Sequence, residues 1–361
     1  ATGEVLSWSG TDYDWIAAGG GTTLELYAEN PSSPTAPSVT GTNAVGIGSG
    51  AKAHSTDAIG LGNGSWARGD STFAAFGDAR STASVAIGLG TVSSADAALA
   101  LGRDSYALAA SAISLGKGRA SGAASFAAAI TNNSASYGAS GANSVAMGAN
   151  AKSSGIRAIS LGRFGQATNT RSINIGDSAA STGASSVAIG YTAVASQTYS
   201  TAIGYRSSSD IIGKYAYAGG AFAVTGDSQT GTFVLLSATT DATPDALTTG
   251  NNNPGTANQV ILPNNSAYSF SGTIIARQQA SAGSDYASWE IKGALLRDAN
   301  AASTVLGNGI QNKLYATSGA SAWAIALTAD TTSGGLKIEV TGAASTNIRW
   351  VATVNTSEVT Y

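Results

Sequence analysis

From residue 45 to about residue 204, apolar and small residues alternate in a short unit that keeps returning: aliphatic, small, aliphatic, glycine. It reads Val45-Gly46-Ile47-Gly48, Ile59-Gly60-Leu61-Gly62, Val85-Ala86-Ile87-Gly88, Leu99-Ala100-Leu101-Gly102 and Ile113-Ser114-Leu115-Gly116. It resumes as Val145-Ala146-Met147-Gly148, Ile159-Ser160-Leu161-Gly162, Ile173-Asn174-Ile175-Gly176, Val187-Ala188-Ile189-Gly190 and Thr201-Ala202-Ile203-Gly204. Successive copies start 14 residues apart at 45 and 59, at 85, 99 and 113, and at 145, 159, 173, 187 and 201. Degenerate copies at 73–77 and 126–130 carry insertions or deletions. A fixed short period of this kind is the mark of a solenoid.

Each unit has a second arm. Six and eight residues after the first apolar position stand small residues, as in Ala51/Ala53, Ser65/Ala67, Thr91/Ser93, Ser105/Ala107, Ala151/Ser153, Ala179/Ser181 and Ala193/Ala195. Both arms alternate with period two, so both are short strands. The glycine closing the first arm suits a turn residue with positive φ. Fourteen residues therefore make two strands and two turns, one coil of a parallel β-roll. One arm offers Val/Ile pairs and the other Ala/Ser, so the inside of a coil is thin. So thin a core predicts that several copies bundle around one axis.

The chain is expected to divide four ways: a leader at 1–42, the roll at 43–210, a transition segment at 211–257 and a C-terminal domain at 258–361. In the leader, Leu24-Glu25-Leu26-Tyr27 reads as a strand and Asn30-Pro31-Ser32-Ser33-Pro34 as a turn-rich linker. The stretch 127–143 breaks the count and is expected to bulge outward as a loop. Alternating strands are predicted in the last domain at 259–262, 268–277, 287–296, 313–316, 322–327, 336–341 and 348–354. Turn signals such as Ser333-Gly334-Gly335 separate them. That density predicts an antiparallel β-sandwich or jelly roll. No helical periodicity occurs, so the fold class is all-β.

Composition narrows the chemistry. Of 361 residues, 11% are charged, 46 are glycine and none is cysteine, which excludes disulfides and thiolate metal sites. The net charge of −3 argues against nucleic acid as a partner. No apolar run is long enough to span a bilayer, and no signal peptide stands at the start. His54 is the only histidine and falls at an outward turn position. A Ser-His-Asp site would therefore have a single candidate base, and no G-x-S-x-G elbow occurs. Paired carboxylates could hydrolyse sugars, but Asp285, Glu290, Asp298, Glu339 and Glu358 are thinly spread. The chain is expected to need no cofactor or metal and to be no enzyme. Residues 41–210 carry eleven Lys and Arg against seven Asp and Glu, a modestly basic shaft able to meet anionic polysaccharide. Aromatics gather in the last hundred residues. Tyr286, Trp289 and Tyr315, near expected loop ends, are the candidates for a surface site that stacks on sugar. Trp323 and Trp350 are expected to fill the core.

The segment Ser186-Val187-Ala188-Ile189-Gly190-Tyr191-Thr192-Ala193-Val194-Ala195-Ser196 resembles the head repeats of trimeric autotransporter adhesins of the YadA-like type, over about 43–210. That resemblance implies a left-handed parallel β-roll and a homotrimer. The flanks are similar to bacteriophage tail-fibre proteins instead. These are residues 3–15, "GEVLSWSGTDYDW", residues 214–236, "KYAYAGGAFAVTGDSQTGTFVLL", and residues 258–361, with "LPNNSAYSF" at 262–270 and "IRWVATV" at 348–354. They imply a virion protein, extracellular on a phage tail, joined to other tail proteins at its N-terminal side. Its tip would recognise a bacterial surface glycan or an outer-membrane receptor. Two alternatives follow from the same likenesses: a fragment of a bacterial trimeric adhesin, or a tailspike polysaccharide depolymerase.

Overall fold

The computed structural model describes the backbone of residues 4–8, 13–17 and 24–26, and all atoms of 35–131, 134–279 and 285–361. The linker expected at 30–34 lies outside the described residues. The chain divides into two compact units, 1–117 and 118–361. The all-β expectation holds: among the described residues, apart from two 3₁₀ turns at Ala301–Ser303 and Ser318–Ala320, every regular element is a strand.

Unit one is a parallel β-solenoid. First-arm strands Val45–Ile47, Ile59–Leu61, Phe73–Ala75, Val85–Ile87, Leu99–Leu101 and Ile113–Leu115 stack in register, and Leu24–Leu26 pairs in parallel onto the first. Second-arm strands Ser38–Val39, Lys52–Ala53, Trp66–Ala67, Asp78–Ala79, Val92–Ser93 and Tyr106–Ala107 stack likewise. Ahead of them, Glu4–Trp8 and Tyr13–Ala17 form an antiparallel hairpin. In unit two the same two-arm coils run from Arg119–Ala120 to Ser208–Ser209, and a last first-arm strand follows at Tyr215–Ala218.

Turn chemistry explains why this sequence winds so evenly. Between arms, a non-glycine residue sits in the left-handed region in coil after coil, such as Asp57 (φ 55°), Ser71 (φ 55°), Arg157 (φ 58°) and Arg171 (φ 57°). That conformation is unfavourable for an L-residue. Here it points each N–H at the turn carbonyl of the coil before, as in Asp57 to Thr42 O (2.8 Å) and Arg171 to Ile156 O (2.9 Å). The repeat glycines are needed twice over. Gly176 has φ +145°, and a Cβ there would overlap the carbonyl oxygen of Gly190 in the next coil.

One expectation is corrected. The Val/Ile pairs do not line the lumen. The small residue between them points inward, and Ala86, Ala100, Ser114, Ala146, Ser160, Asn174 and Ala188 are fully buried. Opposite stand buried Ala53, Ala67, Ser93, Ala107, Ser153, Ala167 and Ser181. The two arms are too close for anything larger, so the aliphatic pairs face outward. The interruption also proves narrower than 127–143. Phe126–Ala128 and Gly138–Ala139 are ordinary arms in register with Val145–Met147 and Lys152–Ser153. Only the turn between them is enlarged, and buried Ile130 anchors it.

The C-terminal module uses two antiparallel sheets. The strands are β1 (Ser228–Thr239), β2 (Asp245–Ala246), β3 (Val260–Ile261), β4 (Ser266–Gln278), β5 (Tyr286–Arg297), β6 (Val305–Ala316), β7 (Ala324–Asp330), β8 (Gly335–Thr341) and β9 (Ile348–Thr360). The large sheet has the order β1-β9-β4-β5-β6. In the small one, β8 pairs with β7, β2 and β3. The module therefore includes strands that precede residue 258. Its core joins both sheets through Phe233, Leu235, Phe270, Ile291, Leu336, Ile338 and Val354, among others. Tyr215–Ala218 pairs in parallel with Thr201–Gly204 and antiparallel with β1, so within unit two the coil sheet runs into the module without a break.

Candidate adhesive surfaces

Tyr286 opens β5 and Tyr315 lies near the end of its neighbour β6. Their rings stack at 5.1 Å and 27°, with exposures of 41% and 51%. The charge of Tyr315, a hydrogen bond to it and slight burial raise the Tyr286 hydroxyl above its usual range. Thr317 ties this corner together: its Oγ1 accepts from the Tyr286 N–H (3.2 Å) and donates to Asp285 (2.7 Å). Two sequence-predicted candidates are thus brought together as an exposed aromatic plate.

Trp289, the third candidate, is corrected. It is 2% exposed, because its position in β5 shares the inward face with Ala287 and Ile291. Its ring lies 5.5 Å from that of Trp350, which lies 5.9 Å from that of Trp323. Both of these tryptophans are buried, as expected, and Trp350 Nε1 donates to Thr239 Oγ1 (3.0 Å). Trp289 still reaches one shallow indentation of about 200 Å3, shared with Gln311, Lys313, Trp323, Ala324 and Ile325. Lys313 Nζ crosses it to donate to Ser321 O (2.8 Å) and Trp323 O (2.6 Å).

The carboxylates do not converge. Glu290 lies 3.8 Å from Lys292 and Glu339 lies 2.7 Å from Lys337. Asp285 accepts from Thr317. Glu358 is buried against Lys214 at 2.8 Å. His54 is exposed, its Nε2 3.1 Å from Ser38 Oγ. Among the described residues, no three His, Asp or Glu side chains lie close enough to hold a metal ion, and no helix is long and apolar enough to cross a membrane.

Two surfaces stand out beyond the expected residues. The first is the outer face of the first arms, an aliphatic stripe. In unit one it includes Val85, Ile87, Leu99, Leu101, Ile113 and Leu115; in unit two, Val145, Met147, Ile159, Leu161, Ile173 and Ile175. Ile87, Ile113, Met147 and Ile175 are among the exposed large apolar side chains. The second is a cationic aromatic cluster on the second arms of unit one. The Arg68 guanidinium lies 3.3 Å and the Lys52 amine 4.2 Å from the centre of the Trp66 ring. Asp78 bridges Arg68 (2.9 Å) and Arg80 (2.8 Å). Sequence reading missed the cluster, although Lys52, Trp66 and Asp78 occupy the same position in three successive coils.

Segments 79–105, 139–164, 167–191 and 181–207 match the YadA head domain repeat family. No curated protein matches the chain. Among solved structures, the tailspike protein of Acinetobacter baumannii phage AM24 aligns at a TM-score of 0.18 and 8% identity, covering 90% of this chain and 57% of that one. The tailspike protein of Acinetobacter phage vB_ApiP_P1 aligns at 0.20 and 10%, covering 91% and 55%. The chain thus spans a little over half the length of each tailspike, and at these scores the likeness carries no argument. The matched segments all lie on coils of the β-solenoid, and it is these coils that are similar to head repeats.

Proposed function

We propose that this chain is a structural and adhesive component of a phage tail fibre, a homotrimer whose distal module recognises a bacterial surface glycan. The observation that carries the reading is the pairing of two features on one chain: head-type coils with an uncovered aliphatic stripe, and a C-terminal module that displays the Tyr286–Tyr315 plate. An apolar stripe left in water favours closure against identical copies. Three copies would present three plates, and avidity would raise a weak contact to useful strength. The likeness of residues 3–15, 214–236 and 258–361 to tail-fibre segments supports a virion location, with other tail proteins at the N-terminal side. We read the chain as a binder without catalysis, since Asp285, Glu290, Glu339 and Glu358 each have a separate partner.

The test is retention of the labelled chain on a panel of bacterial cells, before and after periodate oxidation of their sugars. Retention should be lost on oxidation and fall at least tenfold for the double variant Tyr286→Ala/Tyr315→Ala. Retention that survives both treatments would refute glycan recognition through the plate. Release of new reducing or unsaturated ends from cell polysaccharide would refute the non-catalytic reading.

A further inference from the structure

The coil beginning at Phe73 is two residues short. Its arms are joined by Phe76 and Gly77 alone, where the coil before uses Gly62-Asn63-Gly64-Ser65 and the coil after uses Gly88-Leu89-Gly90-Thr91. The strands on either side stay in register, Ile59–Leu61 with Phe73–Ala75 and Phe73–Ala75 with Val85–Ile87. The shortfall is therefore concentrated in the turn. It leaves a notch of about 310 Å3 between the flanking turns, at the small end of ligand-sized clefts.

The backbone across this notch is open. In regular coils, the third turn residue donates to the second of the coil before, as Gly64 does to Ser49 O (3.0 Å) and Asp104 to Leu89 O (2.9 Å). The short turn has neither residue. Among the described residues, the Asn63 carbonyl and the Gly90 N–H, on opposite rims, therefore make no backbone–backbone hydrogen bond. An acceptor and a donor thus face a gap walled by apolar side chains. Phe76 is 55% and Leu89 67% exposed, and Trp66 and Val92 complete the walls. The Phe76 ring is held in place, because it lies where a Gly62 side chain would be. Asp78 lines the floor, and its carboxylate is fixed by Arg68 and Arg80.

We infer that this notch is a second saccharide site, on the roll rather than on the distal module. An apolar wall beside a fixed carboxylate and backbone groups left out of the turn ladder suits one ligand class, a pyranose ring. Its C–H face would rest on Phe76 and Leu89, and its hydroxyls would donate to Asp78 and Asn63 O and accept from Gly90 N–H. Trp66 shapes the wall, with Arg68 and Lys52 already lying against its ring. The notch lies where the turns pass from first arm to second, with Trp66, Asp78 and Val92 of the second arms in its lining. The inference rests on the adhesive reading for the source of the sugar.

The experiment uses the full chain on a printed array of bacterial capsular and lipopolysaccharide oligosaccharides, with cell retention measured alongside. One variant is Phe76→Ala. The other replaces Phe76-Gly77 by Gly-Asn-Gly-Ser, the preceding turn, which restores a regular coil and fills the notch. Both should lose at least tenfold in saccharide binding relative to the parent. If the filled coil does not fold, Phe76→Ala decides alone. Parent-like binding by Phe76→Ala, or a parent retained on cells that holds no array saccharide, overturns the notch and leaves the adhesive reading standing. A parent neither retained on cells nor bound to any saccharide overturns both.

Discussion

The contact whose loss should cost most is the buried ion pair between the last coil and the C-terminal module. Lys214 follows the last second arm, where its N–H donates to Ile211 O (3.1 Å) and its carbonyl accepts from Thr201 N–H (2.8 Å) and Ser209 Oγ (2.7 Å). Its ammonium lies 2.8 Å from Glu358 Oε2 on β9, and both side chains are almost wholly buried. Gln229 Nε2 donates to the same oxygen (2.7 Å) and Thr356 Oγ1 to Oε1 (2.6 Å). The rings of Phe233 and Tyr268 lie 5.4 and 5.9 Å from the ammonium. Gly231 leaves the room, since a Cβ there would overlap Oε1. Lys214→Met strands a buried carboxylate with only neutral donors around it. Breaking one side of such a pair costs about 3–5 kcal/mol, or about 6–20 °C in Tm at roughly 2–4 °C per kcal/mol for a unit of this size. Lys214→Met/Glu358→Leu removes both charges and should return most of that loss. Urea unfolding of the parent, the two single variants and the double variant gives the coupling directly. Single variants within about 1 kcal/mol of the parent, or losses that simply add, would refute the claim that the buried pair holds coil and module together.

Three other outcomes follow from the same geometry. Gly176→Ala combines φ +145° with overlap on Gly190 O, so it should cost about 1–3 kcal/mol and strip hydrogen-exchange protection from Val187–Ile189; unchanged protection would mean the coils tolerate the side chain. Asp227 is opposed by burial but takes N–H bonds from Ala223 (2.6 Å), Val224 (2.7 Å) and Phe222 (3.0 Å), and these hold its carboxyl below the ordinary 3.8. A depressed folded value means stability present above pH 3.8 and lost as pH falls below it, so Asp227→Asn should flatten that acid limb in urea unfolding at stepped pH. Ile175→Asp puts a charge on the exposed aliphatic stripe; sedimentation should show a smaller assembly with the far-ultraviolet spectrum of the parent, and an unchanged assembly would remove the stripe from the subunit interface.

The residues explain what a reader of the sequence could and could not see. Period, paired arms and the positive-φ glycines follow from spacing alone, because stacking in register forces each coil to repeat its neighbour. Which face of the first arm is inside does not follow from alternation, which only says that there are two faces. Side-chain volume decides it. The middle position is Gly46, Gly60, Ala74, Ala86, Ala100, Ser114, Ala146, Ser160, Asn174 and Ala188 in turn, while its neighbours range freely through Val, Ile, Leu, Phe and Met. A position restricted in size is one that meets a wall, so the narrow set belongs in the lumen and the broad set outside. Trp289 yields to the same reasoning. It shares parity with Ala287 and Ile291, and Tyr286 lies on the other face; because the strand begins at Tyr286, parity and not nearness to a loop end decides which side chain is exposed. The notch shows the opposite case. The drop to a 12-residue step between Phe73 and Val85 is plain in the sequence. Its consequence depends on Asn63 and Gly90, which become rims only because the coils above and below keep their full turns. A defect in a repeat is thus read from the chain, but the site it creates belongs to its neighbours.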